Sequence, residues 1–414
     1  MKNSLVIVII LFELGWSISF NLIGTLTLSE LFLILSAPFY VTNAILKKDN
    51  DLAILFKLYL FLLGSQIVAE LFVSNGFDSS LKGISITIVS FLHVNFLYRY
   101  IKQDLRLIGV LVLFQVVMMI VRGPAYDAEG SVMSALEGES VVWLKFYFAP
   151  IIRNVLLLCS LLFYRKVYPI IFIVIGMMFV VAGARSGGGM MCIIGLGVYM
   201  LQNNLFVKKF LKIGIVIVCM LGYCLYVLYV DSVMSGRITA GNNIQLLDCN
   251  NPYNPIELLM RGRSEVWCGW IALKDKPLFG HGAWAIDGTH YYARMMALMH
   301  DDNFVYDPSR RYLVPAHSVV IGYGVWHGMF ASLGIIFIVV FFIKRMFRIV
   351  FNIPHKYQLL LVSFAIQIIW NTLFSPNSHF RQTLPISFAI ILSLYYFEKK
   401  HKRVLLEKKN SIDC

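Results

Sequence analysis

Charge is scarce in this chain. Only 14% of its 414 residues are Asp, Glu, Lys or Arg, where a soluble domain carries about 25%. With 58% hydrophobic residues and a mean hydropathy of +0.73, a single soluble globular domain is excluded. Apolar runs of about 20 residues recur from one end to the other, the pattern of membrane-spanning helices. Backbone in lipid must be helical or closed into a barrel. These runs are continuous rather than alternating, which selects helices.

Several catalytic motifs are missing. RSGGGM, at 185–190, lacks the lysine and the preceding strand of a nucleotide phosphate loop. No HExxH or CxxC occurs. HDDN at 300–303 matches no strong metal-ligand spacing and reads as a solvated loop. The short loop TLTLS has no paired carboxylates for a metal-dependent transfer to a lipid-linked donor. No metal or other cofactor is expected. The N-terminal run MKNSLVIVIILFELGWSISF lacks a small-x-small cleavage site and reads as an uncleaved first span. No internal repeat or low-complexity tract is present.

Seven cysteines are present, and Cys159, Cys192, Cys219 and Cys224 lie in or beside spans. Cys249 and Cys268 share the oxidising side, so a disulfide and two free thiols both stay open.

The net charge of +13 does not imply nucleic acid. Much of the basic excess sits in short segments between apolar runs, as the positive-inside rule requires. About twelve spans are expected, at 4–24, 28–46, 52–73, 83–99, 106–122, 149–164, 167–184, 188–203, 210–230, 315–343, 356–374 and 383–398. Alternate connections are basic: KKDND, RYIKQDLR, YRK, VKKFLK, IKRMFR and the tail EKKHKR. Both termini are therefore expected in the cytoplasm. The chain divides into residues 1–230 with nine spans, an external segment 231–314, spans at 315–398 and a basic cytoplasmic tail 399–414. The segment 231–314 should carry short amphipathic helices, one over IELLMRGRSEVWCGWIALKDK and one over YYARMMALMH.

Ionisable groups at a membrane face are costly and are functional candidates. The assigned sidedness puts Arg185, Arg263 and His317 on one face, although it came from hydrophobicity and loop charge alone. Each has a bland reading: a snorkelling arginine, a solvated loop arginine, a satisfied histidine. Together they suit one reaction. Guanidinium forks match phosphate oxygens and stay charged, so they could stabilise a diphosphate leaving group. Imidazole is a general base near neutral pH. Arg122, Arg153 and Asn154, at outer span ends, are further candidates for donor contact or for interfacial anchoring. Arg310, Arg311 and Ser318 are candidate contacts beside His317. Trp267, Trp270, Tyr291, Tyr292 and Tyr312 could stack on sugars or anchor the loop at the interface. His327, deep in the tenth span, reads as a packing residue.

Three pieces in order resemble the bacterial O-antigen ligase and O-antigen polymerase superfamily. They are GARSGGG with Arg185, GRSEVWCGWIALKDKPLFGHG with Arg263, and His317-Ser318 followed after nine residues by Gly328. Ala184 and Ser318 depart from the commonest pattern, where Ser or Thr and Asn stand. The resemblance implies an all-α polytopic fold of GT-C-like architecture in the bacterial inner membrane. It implies a metal-independent inverting glycosyltransferase whose donor is undecaprenyl-diphosphate-linked oligosaccharide on the periplasmic face. His317 would activate the acceptor hydroxyl, and Arg185 and Arg263 would bind the diphosphate. The acceptor glycan is a second lipid-linked repeat for a polymerase, which we favour, or the lipid A core for a ligase. Membrane lipids and a chain-length regulator are the other expected partners. A precursor transporter or flippase is the alternative from another class, and it would show broken or charged helices near the bilayer midplane.

Overall fold

The computed structural model describes residues 3–22, 24–46, 49–122, 143–203, 211–237, 246, 249–300 and 306–412. Most of them are helical. In chain order the first five helices are α1 (Asn3–Gly15), α2 (Leu28–Leu46), α3 (Asn50–Phe72), α4 (Phe77–Ile101) and α5 (Leu107–Arg122). A π-helical turn, Leu144–Phe148, leads into α6 (Ala149–Leu162), followed by α7 (Tyr168–Val181), α8 (Arg185–Gln202) and α9 (Leu211–Met234). Three short helices come next, α10 (Pro255–Gly262), α11 (Ser264–Asp275) and α12 (Tyr291–His300). The chain closes with α13 (Val319–His327), α14 (Met329–Ile349), α15 (His355–Phe374), α16 (Ser378–Arg381) and α17 (Thr383–Ile412).

Among the described residues, five helices are long and apolar enough to cross a bilayer: α3, α4, α6 with its π turn, α14 and α15. Shorter apolar helices accompany them. Leu35, Leu71, Met178 and Leu228 point outward and are exposed, as side chains facing lipid would be. The chain is thus an all-α membrane protein in its broad architecture.

The core lies where α4, α14, α15 and α17 meet. Phe342 and Phe388 stack with ring centroids 4.0 Å apart, and Tyr98 and Tyr323 are almost wholly buried. One end of the bundle carries a charged latch. Arg345 of α14 donates to Asp51 of α3 at 2.5 and 3.1 Å, with Lys399 of α17 at 3.9 Å from the same carboxylate. The other end carries the α3–α4 turn with the Gly280–Ala283 turn bonded to it, and is called the loop face below.

Four expectations change. The first span is shorter than 4–24: α1 stops at Gly15, and a hairpin pairs Ser19–Leu22 with Gly24–Thr27. Its turn uses Gly24 at φ 82°, a conformation that favours glycine. Thr27 then starts α2 with a reciprocal cap: its N–H donates to Glu30 Oε2 at 2.8 Å, and the Glu30 N–H donates to Thr27 Oγ1 at 3.3 Å. The tenth span, 315–343, is two helices broken at Gly328. The last span, 383–398, is longer than expected: α17 runs from Thr383 through the basic tail to Ile412. The expected amphipathic helix over IELLMRGRSEVWCGWIALKDK is split into α10 and α11 at Arg263, whose φ of −145° is not helical.

Candidate functional site

The break at Gly328 decides the geometry. Ser332 Oγ donates to the Val320 carbonyl at 2.7 Å, although a straight helix would hold these residues about 18 Å apart. The chain therefore folds back, and α13 lies against α14. The neighbouring helix α4 gives the direction. Tyr323 Oη is 3.2 Å from Thr87 Oγ1, while His327 Cε1 is 3.4 Å from the Cβ position of Gly83. Since Gly83 is nearer the loop face, α13 climbs toward that face. Its first residues, with His317 and Ser318 just before them, sit about 13 Å deeper than His327. A continuous tenth span would put His317 uppermost, whereas the fold sinks it.

Helix α11 runs beside α13 in the same direction. The Cβ position of Gly269 is 3.0 Å from the Pro315 carbonyl and 3.2 Å from Ile321 Cγ2, and that of Gly324 is 2.9 Å from Leu273 Cδ2. Arg263, the N-cap residue of α11, is thereby carried down with His317. Both meet the end of α15. The Arg263 guanidinium lies 5.7 Å from the Trp370 ring centroid. Ser318 Oγ donates to the Thr372 carbonyl at 3.1 Å and accepts from the Ile321 N–H at 3.2 Å, capping α13. Burial pulls the Arg263 pKa below its ordinary value, partly offset by Glu265.

Arg185 reaches the same level by another route. Helices α7 and α8 form an antiparallel pair, with Cys192 Sγ 3.5 Å from the Ile173 carbonyl and Gly195 on the Pro169 carbonyl. Tyr164 stacks on His355, so α15 begins where α7 begins and runs antiparallel to α8. The Cβ position of Gly197 is 3.9 Å from Val362 Cγ1. Arg185 stands twelve residues before Gly197, and Phe374 twelve after Val362. At equal helical rise, Arg185 and the end of α15 are level. Its guanidinium lies 5.7 Å from the Tyr229 ring centroid. The three glycines after it have different roles. Gly188 is pressed onto the α7 backbone at Gly176 and Val180, whereas Gly187 meets only Ala149 Cβ at 3.9 Å and Gly189 has nothing within 4 Å.

Ala149 sets the face of α6 that meets α8. Arg153, one turn on, shares that face, and helical side chains lean toward their own N-terminus. The Arg153 Nε has no hydrogen-bond partner. Asn154 is buried on another face, with Nδ2 3.8 Å from Met119 Sδ, a packing role. Arg122 ends α5, and its side chain lies outside the described residues. Arg310 and Arg311 stay on an exposed turn, with the Arg310 guanidinium 5.7 Å from the centroid of Tyr312. Tyr292 and Tyr312 are buried in the loop's own framework: Tyr292 Oη donates to Asp275 Oδ2 at 2.7 Å, and Tyr312 Oη accepts from the Asp307 N–H at 2.9 Å. Trp270 is exposed, with Lys274 Nζ 5.4 Å from its ring centroid.

His327 is more than packing. It is 1% exposed, with Nδ1 3.3 Å from Glu70 Oε1. Glu70 also accepts from the Ala283 N–H at 3.0 Å and from Ser80 Oγ at 2.5 Å. Asn75 Nδ2 donates to the carbonyls of His281 and Ala283 at 3.0 and 3.1 Å. Together they fasten the Gly280–Ala283 turn to α3, α4 and the top of α13.

Cys249 and Cys268 are both buried and are not joined to each other. Burial pushes the Cys268 thiol up to about 12. Among the described residues no three His, Cys, Asp or Glu side chains converge as a metal would require. Residues 301–303 of HDDN, and Cys414, lie outside them.

Sequence reasoning missed Trp370, Thr372 and Asn377, which belong to the end of α15 and the strap that follows it. SPNSHFRQ looked like an ordinary external loop. Its dense polar content at the face bearing His317 was the available signal. Comparison with protein-family models, curated proteins and solved structures finds no match for this chain.

Proposed function

We propose that the chain is a membrane-embedded glycosyltransferase related to the O-antigen polymerases and ligases, with polymerase as the favoured activity. One observation carries the reading. Arg263 and His317 lie at the sunken ends of two parallel short helices, against the same end of α15, with Arg185 level with them. Two guanidiniums and one imidazole at one level suit a diphosphate leaving group and an acceptor hydroxyl.

In this mechanism His317 takes the proton of the acceptor hydroxyl as that oxygen bonds to the anomeric carbon. The bond from that carbon to the diphosphate oxygen breaks, and its electron pair leaves on the diphosphate. Arg185 and Arg263 stabilise the charge that develops there. Attack opposite the leaving group inverts the anomeric centre. The donor is an undecaprenyl-diphosphate-linked glycan, the membrane is the bacterial inner membrane, and the loop face is periplasmic.

Purified His317→Ala should lose transfer while retaining donor affinity and its melting temperature. Full turnover by that variant at neutral pH would refute the assignment of the base. Deleting the gene separates the acceptors. Loss of a polymerase leaves one repeat on the core, whereas loss of a ligase leaves bare core and accumulated lipid-linked polymer.

A second reading, precursor transport, draws support from the broken pair α13–α14, since transporters build sites at broken helices. Reconstituted vesicles discriminate. A transporter moves the lipid-linked donor across the bilayer unchanged, whereas the transferase converts it when acceptor is present.

A further inference from the structure

Buried polar atoms in folded proteins almost always find hydrogen-bond partners, and one that does not has a specific cause. Atoms of this kind gather around the sunken end of α13. Ser264 is wholly buried beside Arg263, and its Oγ has no partner. Thr372 is 4% exposed; its carbonyl accepts from Ser318, yet its own Oγ1 has no partner. Asn377 is 3% exposed, and neither its Oδ1 nor its Nδ2 is bonded. Its amide lies on Gly322, whose Cβ position is 2.6 Å from Asn377 Oδ1, 2.9 Å from Nδ2 and 2.7 Å from the carbonyl of Ala316. Ala316 is the residue before His317. Three chain segments thus carry unsatisfied donors and acceptors to the surroundings of Arg263 and of Ala316–Ser318.

Looseness does not account for them. The strap bearing Asn377 is fixed on both sides. Ser375 Oγ is 3.2 Å from Asn371 Oδ1. Phe380 is fully buried between Tyr59 and Tyr323. Arg381 is paired with Glu30 and donates to the Thr25 carbonyl at 2.7 Å. Ser264 and Thr372 are likewise held in or at the ends of helices. Each unmet group costs about 1–3 kcal/mol, so these groups are a standing cost beside the candidate site. The groups are neutral hydroxyls and a carboxamide. A diphosphate calls for cations, which Arg185 and Arg263 supply. A ring of hydroxyls calls for neutral groups that both donate and accept, which describes Ser, Thr and Asn.

We infer that Ser264, Thr372 and Asn377 form a sugar-hydroxyl subsite that grips the glycan next to the reacting bond. This rests on the glycosyltransferase reading and names the part of the substrate that these residues recognise. Gly322 is needed because any side chain there would displace the Asn377 amide.

The test separates sugar binding from folding. Thr372→Val and Ser264→Ala remove an unmet polar atom with little or no loss of volume, so the ligand-free protein should melt no lower than wild type. Affinity should be measured for two probes: the polyprenyl-diphosphate-linked oligosaccharide extracted from native membranes, and undecaprenyl diphosphate without sugar. Thr372→Val, Ser264→Ala and Asn377→Ala should each weaken the first at least about fivefold, one lost hydrogen bond's worth, and leave the second unchanged. Gly322→Ala should copy Asn377→Ala. Unchanged affinity for the first probe in all four variants overturns the subsite. So does an equal loss for both probes, or a lower melting temperature in Thr372→Val, either of which assigns the hydroxyl to the phosphate site or to the fold. Wild-type protein that binds neither probe would instead refute the glycosyltransferase reading, and the subsite with it.

Discussion

Gly328 rests its backbone directly on the Leu278 carbonyl. It does so at φ 80°, and its neighbour Met329 donates its N–H to the Pro277 carbonyl at 2.7 Å. On the other side, Gly280 at φ 71° lies against the carbonyl of Val325, and His281 donates to that carbonyl at 2.7 Å. Two glycine turns far apart in sequence are thus locked together, and the lock holds α13 folded back.

Gly328→Ala should be among the most damaging substitutions in the chain. It adds a clash with backbone and forces a left-handed conformation on a residue with a side chain. A loss of about 3 kcal/mol is expected, read as a lower melting temperature in detergent, together with loss of donor binding. Gly109→Ala, with nothing within 4 Å of its Cβ position, is the control and should be tolerated.

Arg263 is predicted to act through its planar fork. It sits against Trp370, where a guanidinium can lie against the ring while its N–H groups face oxygens. Arg263→Lys keeps the charge and should still lose about tenfold or more in donor affinity, measured by titration with undecaprenyl diphosphate. Equal affinity in the lysine variant would show that charge alone is read.

The Glu30–Arg381 pair should matter for stability. Glu30 is fully buried. Arg381→Met therefore strands a carboxylate and should cost about 3 kcal/mol. Adding Glu30→Gln should recover part of that loss in a double-mutant cycle. Strictly additive effects would mean that the two side chains do not interact.

Acid should destabilise the loop face. His281 and His379 both have pKa values below the ordinary histidine value because burial disfavours the cation. A depressed folded-state pKa means that the unfolded chain binds protons first. The stabilising contribution is therefore present above the unfolded value and is lost as pH falls toward the folded one. The melting temperature should fall as pH drops through the ordinary histidine range, near 6.5. His379→Gln should flatten that dependence, and an unchanged slope would exclude His379 as a contributor.

The apolar runs alone determined that this chain is a helical membrane protein, because a lipid-exposed backbone has few ways to satisfy its own polar groups. Loop charge and hydrophobic order also put Arg185, Arg263 and His317 on one face, and the fold brings all three to the level of the end of α15. The direction of α13 was beyond the sequence. Val319–Phe330 is as apolar as a continuous span, and its reversal depends on contacts of Gly328 with Leu278 and of Ser332 with Val320. The first is between residues fifty positions apart, and neither leaves a periodic trace. His327 looked like a packing residue for the same reason, since Glu70 comes from another helix. Thr372, near the end of an apolar helix, carries no pattern that marks a site residue, and the polar density of SPNSHFRQ marks that loop without singling out Asn377. Only the packing of α15 and its strap against α11 and α13 gives them a shared place. Hydrophobicity is a local property and can be read along the chain, whereas a site assembled from three distant segments exists only once long-range contacts have chosen which segments meet.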